Sequence, residues 1–97
     1  MYRRSRLDIY FDILEVIQRG TQRPTRIMYK TNLSWTTLQE MFKTLIERGF
    51  IRTETDGKTT VYSVTEKGKR SLSYHQKSLE GLIKPEESLR NALFVNV

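Results

Sequence analysis

The chain has 97 residues with no cysteine and one histidine, and its 17 Lys and Arg outweigh 11 Asp and Glu to leave a net charge of +6. That length fits one domain with a single small core and makes help from a partner subunit expected, while the missing cysteine excludes a disulfide framework and a thiolate metal site. The charge favours a polyanionic partner without separating nucleic acid from membrane, but no apolar run is long enough to span a bilayer and Met1-Tyr-Arg-Arg-Ser-Arg6 leads into a segment broken by Asp8, Asp12 and Glu15, so a soluble cytoplasmic protein is expected.

A first helix is predicted from about Arg6 to Arg19, with Leu7, Tyr10, Leu14 and Ile17 on one stripe and Gly20 as its stop. Ile9, Ile13 and Val16 widen its apolar arc, so it either lies deep in the fold or contacts a second subunit. Thr21-Gln-Arg-Pro24 reads as a turn. Thr25 to Lys30 then forms a short helix that carries Ile27 and Met28 inward. Ser34 is an N-cap for a helix to about Arg48, and Gly49 suits the left-handed position past its end. At about 100° per residue, Trp35, Leu38, Met41, Phe42, Leu45 and Ile46 share one broad face, with Thr36, Glu40, Lys43 and Glu47 pointing away.

Phe50 to Thr55 and Thr59 to Val64 are rich in β-branched and aromatic residues, and Asp56-Gly57 between them signals a hairpin. Alternation sets Tyr62 and Val64 on one face of the second strand, as core or cross-strand packing. Thr65 then caps a long helix through Gly68, Leu72, His75, Leu79, Leu82 and Ile83 until Pro85 interrupts it. The spacing 65, 68, 72, 75, 79, 82 is heptad-like. A dimer interface through Leu72, His75, Leu79, Leu82 and Ile83 is therefore expected, with packing inside one subunit as the alternative. Residues 86–97 add a short amphipathic helix through Leu89, Ala92 and Leu93 over the same apolar surface. The fold class is α+β, mostly helical: a helix-turn-helix and two-stranded wing over residues 1–64, then a dimerisation helix and tail over 65–97.

A helix-turn-helix presents the N-terminal residues of its second helix to the base edges of the major groove, which here are Ser34, Thr36, Thr37, Gln39 and Lys43. Glutamine reads adenine with two hydrogen bonds, threonine methyls meet the thymine methyl, and lysine reaches guanine or a phosphate. Glu40 on the same face must accept from cytosine or pair with Lys43 or Arg48. From Arg19 to Lys30 the chain holds cations and no acid, so Arg23, Arg26 and Lys30 are the phosphate candidates, joined by Arg52 and Lys58 on the wing. Arg3 and Arg4 form a candidate flexible arm. For all of these residues the alternative is ordinary solvated surface. His75 has no second ligand, so no metal role is expected for it.

Thr25-Arg-Ile-Met-Tyr-Lys-Thr-Asn-Leu-Ser-Trp35, Glu47-Arg-Gly-Phe-Ile51 and Val64-Thr-Glu-Lys-Gly68 together resemble the archaeal winged helix-turn-helix DNA-binding family that includes small basic chromatin proteins and ArnR-like regulators. The resemblance covers roughly residues 6 to 83. It implies an archaeal or archaeal-virus origin and a homodimer formed through the C-terminal helix, often as an antiparallel coiled coil. Two residues depart from the family pattern, the acidic Glu40 and the helix-ending Pro85.

The expected function is a transcriptional regulator that binds duplex DNA as a homodimer; the alternatives are a nucleoid protein with little sequence preference and a winged helix used for protein interaction. No nucleophile is paired with a base, and no Gly-rich phosphate loop or metal-spaced cluster appears, so no catalysis and no cofactor are expected. No small-molecule ligand is evident.

Overall fold

The computed structural model describes residues 4–83, with side-chain surroundings through Ser78. Helix α1 (Arg6–Gln18) starts from a reciprocal cap. The Ser5 hydroxyl accepts the Asp8 N–H at 3.1 Å and the Asp8 carboxylate accepts the Ser5 N–H at 3.0 Å, which satisfies two of the amides a helix start leaves open. Helix α2 (Pro24–Thr31) begins on proline, whose missing N–H costs nothing at that position. Helix α3 (Trp35–Glu47) begins at Ser34, which accepts the Thr37 N–H at 3.2 Å.

These three helices end in the same way. Gly20, Asn32 and Gly49 have φ of 110°, 56° and 77°, and each donates to the carbonyl three residues back while the next residue donates to the one five back. The pairs are Gly20 to Ile17 and Thr21 to Val16 at 3.0 and 3.1 Å, Asn32 to Tyr29 and Leu33 to Met28 at 3.3 Å, and Gly49 to Ile46 and Phe50 to Leu45 at 3.0 and 2.8 Å. This is the Schellman arrangement, in which a left-handed residue satisfies end carbonyls and turns the chain sharply. Asparagine tolerates that conformation better than other side chains. Only Asn32, Leu33 and Ser34 separate α2 from α3.

Ile13, Leu14 and Ile17 of α1, Ile27 of α2 and Leu38, Met41, Phe42 and Leu45 of α3 converge in one core. Three side chains expected inward are left outside it. Leu7 is 60 % exposed because the first turn of α1 borders an open cleft, while Trp35 and Ile46, at the edge of the α3 apolar arc and near its two ends, are 47 % and 40 % exposed.

Strands β1 (Ile51–Asp56) and β2 (Thr59–Val64) pair antiparallel, from Ile51 opposite Val64 to Asp56 opposite Thr59. The first strand is shifted one residue from expectation, so the turn is Gly57-Lys58 and not Asp56-Gly57. A left-handed φ at Gly57 alone, 66°, is the pattern of a type II′ hairpin with glycine at its first loop position. Tyr62 and Val64 are buried, as alternation required. The Tyr62 N–H also donates to the Gln22 carbonyl at 2.9 Å, tying the wing to the loop before α2.

Helix α4 (Glu66–Ile83) begins where the Thr65 hydroxyl accepts the Gly68 N–H at 3.1 Å and donates to the Gly49 carbonyl. Gly68 lets it pass against the end of α3: a Cβ there would lie 2.2 Å from the Phe50 carbonyl oxygen and 2.6 Å from Val64 Cγ1. Leu72, expected on a seam between subunits, is 4 % exposed within the single chain, its side chain taken up by the chain's own core. His75 stacks on Phe11 of α1 with ring centroids 3.7 Å apart and planes 1° from parallel, so it too has an intrachain partner. The helix continues to Ile83 and carries Leu79, Leu82 and Ile83; Pro85 and the expected tail helix lie outside the described residues. No helix among the described residues is long and apolar enough to cross a membrane.

Candidate nucleic-acid interface

The exposed face of α3 follows from its buried one. Leu38, Met41, Phe42 and Leu45 turn inward, so Thr36, Glu40, Lys43 and Glu47 emerge on the opposite side and are exposed. Gln39 is half-buried at the flank of that face. Ser34 and Thr37 are occupied with each other: beyond the N-cap bond, the Ser34 hydroxyl donates to Thr37 Oγ1 at 2.9 Å. Both therefore have a capping task in the free chain, which leaves Thr36, Gln39 and Lys43 as the candidates whose polar atoms have no partner within the described residues. Glu40 makes none of the ion pairs found there, so of its two alternatives the pairing with Lys43 or Arg48 is not present and acceptance from cytosine stays open.

The cations divide into held and open ones. Arg19 pairs with Glu15 at 2.7 Å. Arg4, expected in a flexible arm, donates to Asp12 at 2.8 Å and is half-buried, so that part of the arm is pinned to α1; Arg3 lies outside the described residues. Arg52 lies 3.4 Å from Glu54 and donates to Ser63 Oγ at 3.2 Å. Arg23, Arg26, Lys30, Lys43 and Lys58 are exposed and enter no ion pair among the described residues.

Arg26 and Lys30 stand one turn apart on one flank of α2, beside the buried face that carries Ile27 and Thr31, with Arg23 at its N-cap. No side chain caps this helix start, so its first amides add positive potential beside the three cations. Asn32 sets the path from α2 into α3, and the bond from Tyr62 to Gln22 sets the wing against the start of α2. Open cations, the polar face of α3 and the Lys58 tip thus belong to adjoining elements.

Two exposed aromatics here escaped the sequence reading. Tyr29 precedes Lys30 and is exposed, and Trp35 opens α3 between Ser34 and Thr36. Trp35 satisfies the helical period of the buried face, which conceals that a side chain in the first turn lies past the edge of what covers that face.

Comparison with known proteins matches residues 3–83 to the winged helix-turn-helix family. The uncharacterized protein MJ0287 of the archaeon Methanocaldococcus jannaschii is 38 % identical over 72 residues, which is 74 % of this chain and 70 % of that protein. Among solved structures, Sso10a-2, a DNA-binding protein from Sulfolobus solfataricus, superposes with a TM-score of 0.63 at 25 % identity, over 93 % of this chain and 97 % of its own. The homodimeric winged helix-turn-helix DNA-binding domain of Mb0332 from Mycobacterium bovis, a possible ArsR-family transcriptional regulator, shares the fold with a TM-score of 0.68 at 19 % identity, over 78 % and 71 % of the two chains. With a four-helix core, a two-stranded wing and a match that spans all of its described residues, the chain belongs to the winged helix-turn-helix family.

Proposed function

We propose that this protein binds duplex DNA as a homodimer and regulates transcription, with α3 in the major groove. The observation that carries this reading is the set of cations Arg23, Arg26 and Lys30 on α2, in no ion pair among the described residues, beside the exposed polar face of α3. In this docking Thr36, Gln39 and Lys43 meet base edges, and Ser34 and Thr37 reach them by exchanging their mutual hydrogen bond for one to a base. Arg23, Arg26 and Lys30 hold one stretch of phosphates, with the uncapped start of α2 contributing amide donors. Lys58 at the wing tip and Arg52 behind it meet the backbone further along.

The dimer rests on α4. Beyond His75 it extends about two more turns, carrying Leu79, Leu82 and Ile83. Leu72 and His75, engaged within the chain, orient that extension and are not its contact surface. The likeness to Sso10a-2, itself a DNA-binding protein, and to the homodimeric Mb0332 domain supports both parts.

The second reading is a nucleoid protein of low sequence preference. It is favoured by the single amide on a face otherwise made of hydroxyls and charges, because hydroxyls discriminate bases weakly. A salt titration separates the two: binding of random duplex is compared with binding of duplex from the gene's own upstream region. Steep salt dependence with strong preference for the upstream duplex supports a regulator; equal binding supports packaging; no binding at low salt refutes both.

A further inference from the structure

Far from the base-facing turn of α3, about 12 Å along its axis from Thr36, a cleft of about 420 Å³ opens between α1, the last turns of α3 and α4. Its floor is apolar, formed by Leu7, Phe11, Leu14, Leu45 and Phe50, and its polar residues are Arg6, Tyr10, Thr44, Arg48 and Ser71. The volume falls in the range of pockets that hold small organic molecules. Leu7 leaves an apolar surface in water at its mouth.

The polar side has one sign. Arg6 Nε donates to the Tyr10 hydroxyl at 2.9 Å, and its guanidinium lies 5.7 Å from the centre of the Tyr10 ring. Neither Arg6 nor Arg48 enters any ion pair among the described residues. Burial alone would raise the Tyr10 phenol, yet hydrogen bonds to Arg6 and Thr44 and the charges of Arg6 and Arg48 hold it below its ordinary value. The potential at that hydroxyl is therefore positive. A neutral apolar ligand would make no use of the two guanidiniums beside it, and a bare inorganic anion would leave the apolar floor wet.

We propose that this cleft binds a small organic monocarboxylate with an apolar body, its carboxylate held by Arg6 and Arg48 with the Tyr10 hydroxyl, and its alkyl or aryl part laid on Leu7, Phe11 and Phe50. Guanidinium suits a carboxylate because its donors match the two oxygens. The apolar body adds what a carboxylate in water lacks, a surface to leave the solvent with. This site is independent of the DNA reading, and its test needs no DNA.

The experiment is a titration of the full chain, followed by amide chemical shifts, with octanoate, octan-1-ol and acetate as probes. Octanoate is expected to give saturable shifts at Leu7, Tyr10 and Phe50, with octan-1-ol and acetate each bound at least about tenfold more weakly, the size of a lost charge-assisted contact. Arg6→Gln and Arg48→Gln, both at exposed positions, are each expected to weaken octanoate about tenfold and leave octan-1-ol unchanged, with thermal unfolding confirming that the variants remain folded. Equal binding of octanoate and octan-1-ol overturns the proposal, as does unaltered octanoate binding by both variants. A cleft filled by a second copy or by residues 84–97 of the chain overturns it too: octanoate then causes no shifts, whether or not the arginine variants alter the sedimentation of the protein.

Discussion

The rings of Phe42 and Tyr62 are stacked, with centroids 4.1 Å apart and planes 17° from parallel. Phe42 is on the buried face of α3 and Tyr62 on the inward face of β2, so one contact couples the helix proposed to enter the groove to the wing beside it. The Tyr62 backbone adds the bond to Gln22. Tyr62→Ala keeps that bond but removes the ring, and is expected to cost about 3–5 kcal/mol, the range for deleting a buried aromatic side chain. Tyr62→Phe retains the stack and is expected to stay within about 1.5 kcal/mol. Urea unfolding measures both; equal losses would mean that the hydroxyl, not the ring, holds the wing.

Tyr62 also gives the protein an alkaline limit. Burial raises its phenol above the ordinary value of 10.0, so near and above that pH the unfolded chain ionises this group while the folded chain resists. The stabilisation is complete below the unfolded value and is lost as pH rises through the folded one. The informative quantity is the difference between parent and Tyr62→Phe, because it isolates this one group. The parent is expected to lose stability faster as pH rises above about 10, and parallel curves would show that the phenol is free to ionise in the folded protein.

Gly68 sets how closely α4 approaches the end of α3. The first carbon of any side chain would meet the Phe50 carbonyl oxygen, a backbone atom that cannot rotate away, and Val64 behind it. The usual gain from replacing a helical glycine with alanine, about 1 kcal/mol, is reversed here. Gly68→Ala is expected to destabilise by about 1–3 kcal/mol, as overpacking does. Ser71→Ala serves as the comparison, since this half-buried position lies one turn further along α4. A rise in melting temperature for Gly68→Ala would show that α4 can shift away without cost.

The residues that were legible in the sequence are those whose signal is local. Ser34 and Gly49 bound α3 because capping and left-handed backbone depend on a few neighbours. Thr59 to Val64 read as a strand from β-branched content and alternation. What failed needed the third dimension. The heptad-like spacing of α4 identified an apolar face but not what covers it, and Leu72 turned inward to its own chain. Arg4 read as a free arm until Asp12, two helical turns into α1, came within 2.8 Å. Arg52 read as a backbone contact because one partner, Ser63, meets it only through the strand register, although the other, Glu54, lies two residues along the same strand. The cleft on α1 joins residues from Arg6 to Ser71, which no local pattern connects.

The division into held and open cations gives the DNA reading a quantitative form. Each phosphate contact contributes about 0.9 to the slope of log affinity against log salt. Arg26→Ala together with Lys30→Ala is expected to weaken binding to all duplexes and to shallow that slope by about two contacts' worth. Arg52→Ala is expected to change it less, because its side chain already has Glu54 and Ser63 as partners and leaving them offsets part of what a phosphate offers. The reverse order, with Arg52 dominant, would move the backbone contact from α2 to the wing.

Trp35 is the sole tryptophan, so the tryptophan emission of the protein, excited selectively at wavelengths where tyrosine does not absorb, comes from the first turn of α3 alone. In the free chain its indole is half open to water between Ser34 and Thr36. If α3 enters the groove by its N-terminal end, this ring is covered by sugar or by a thymine methyl, an apolar contact larger than the threonine methyls can supply. Adding duplex at low salt is then expected to shift or quench the emission, saturating at the concentration where the anisotropy of labelled DNA saturates. Trp35→Ala is expected to weaken binding several-fold, in line with about 1 kcal/mol for the apolar area re-exposed. Saturating anisotropy with unchanged emission would leave DNA binding intact but remove the first turn of α3 from the interface, placing the duplex against α2 and the wing instead.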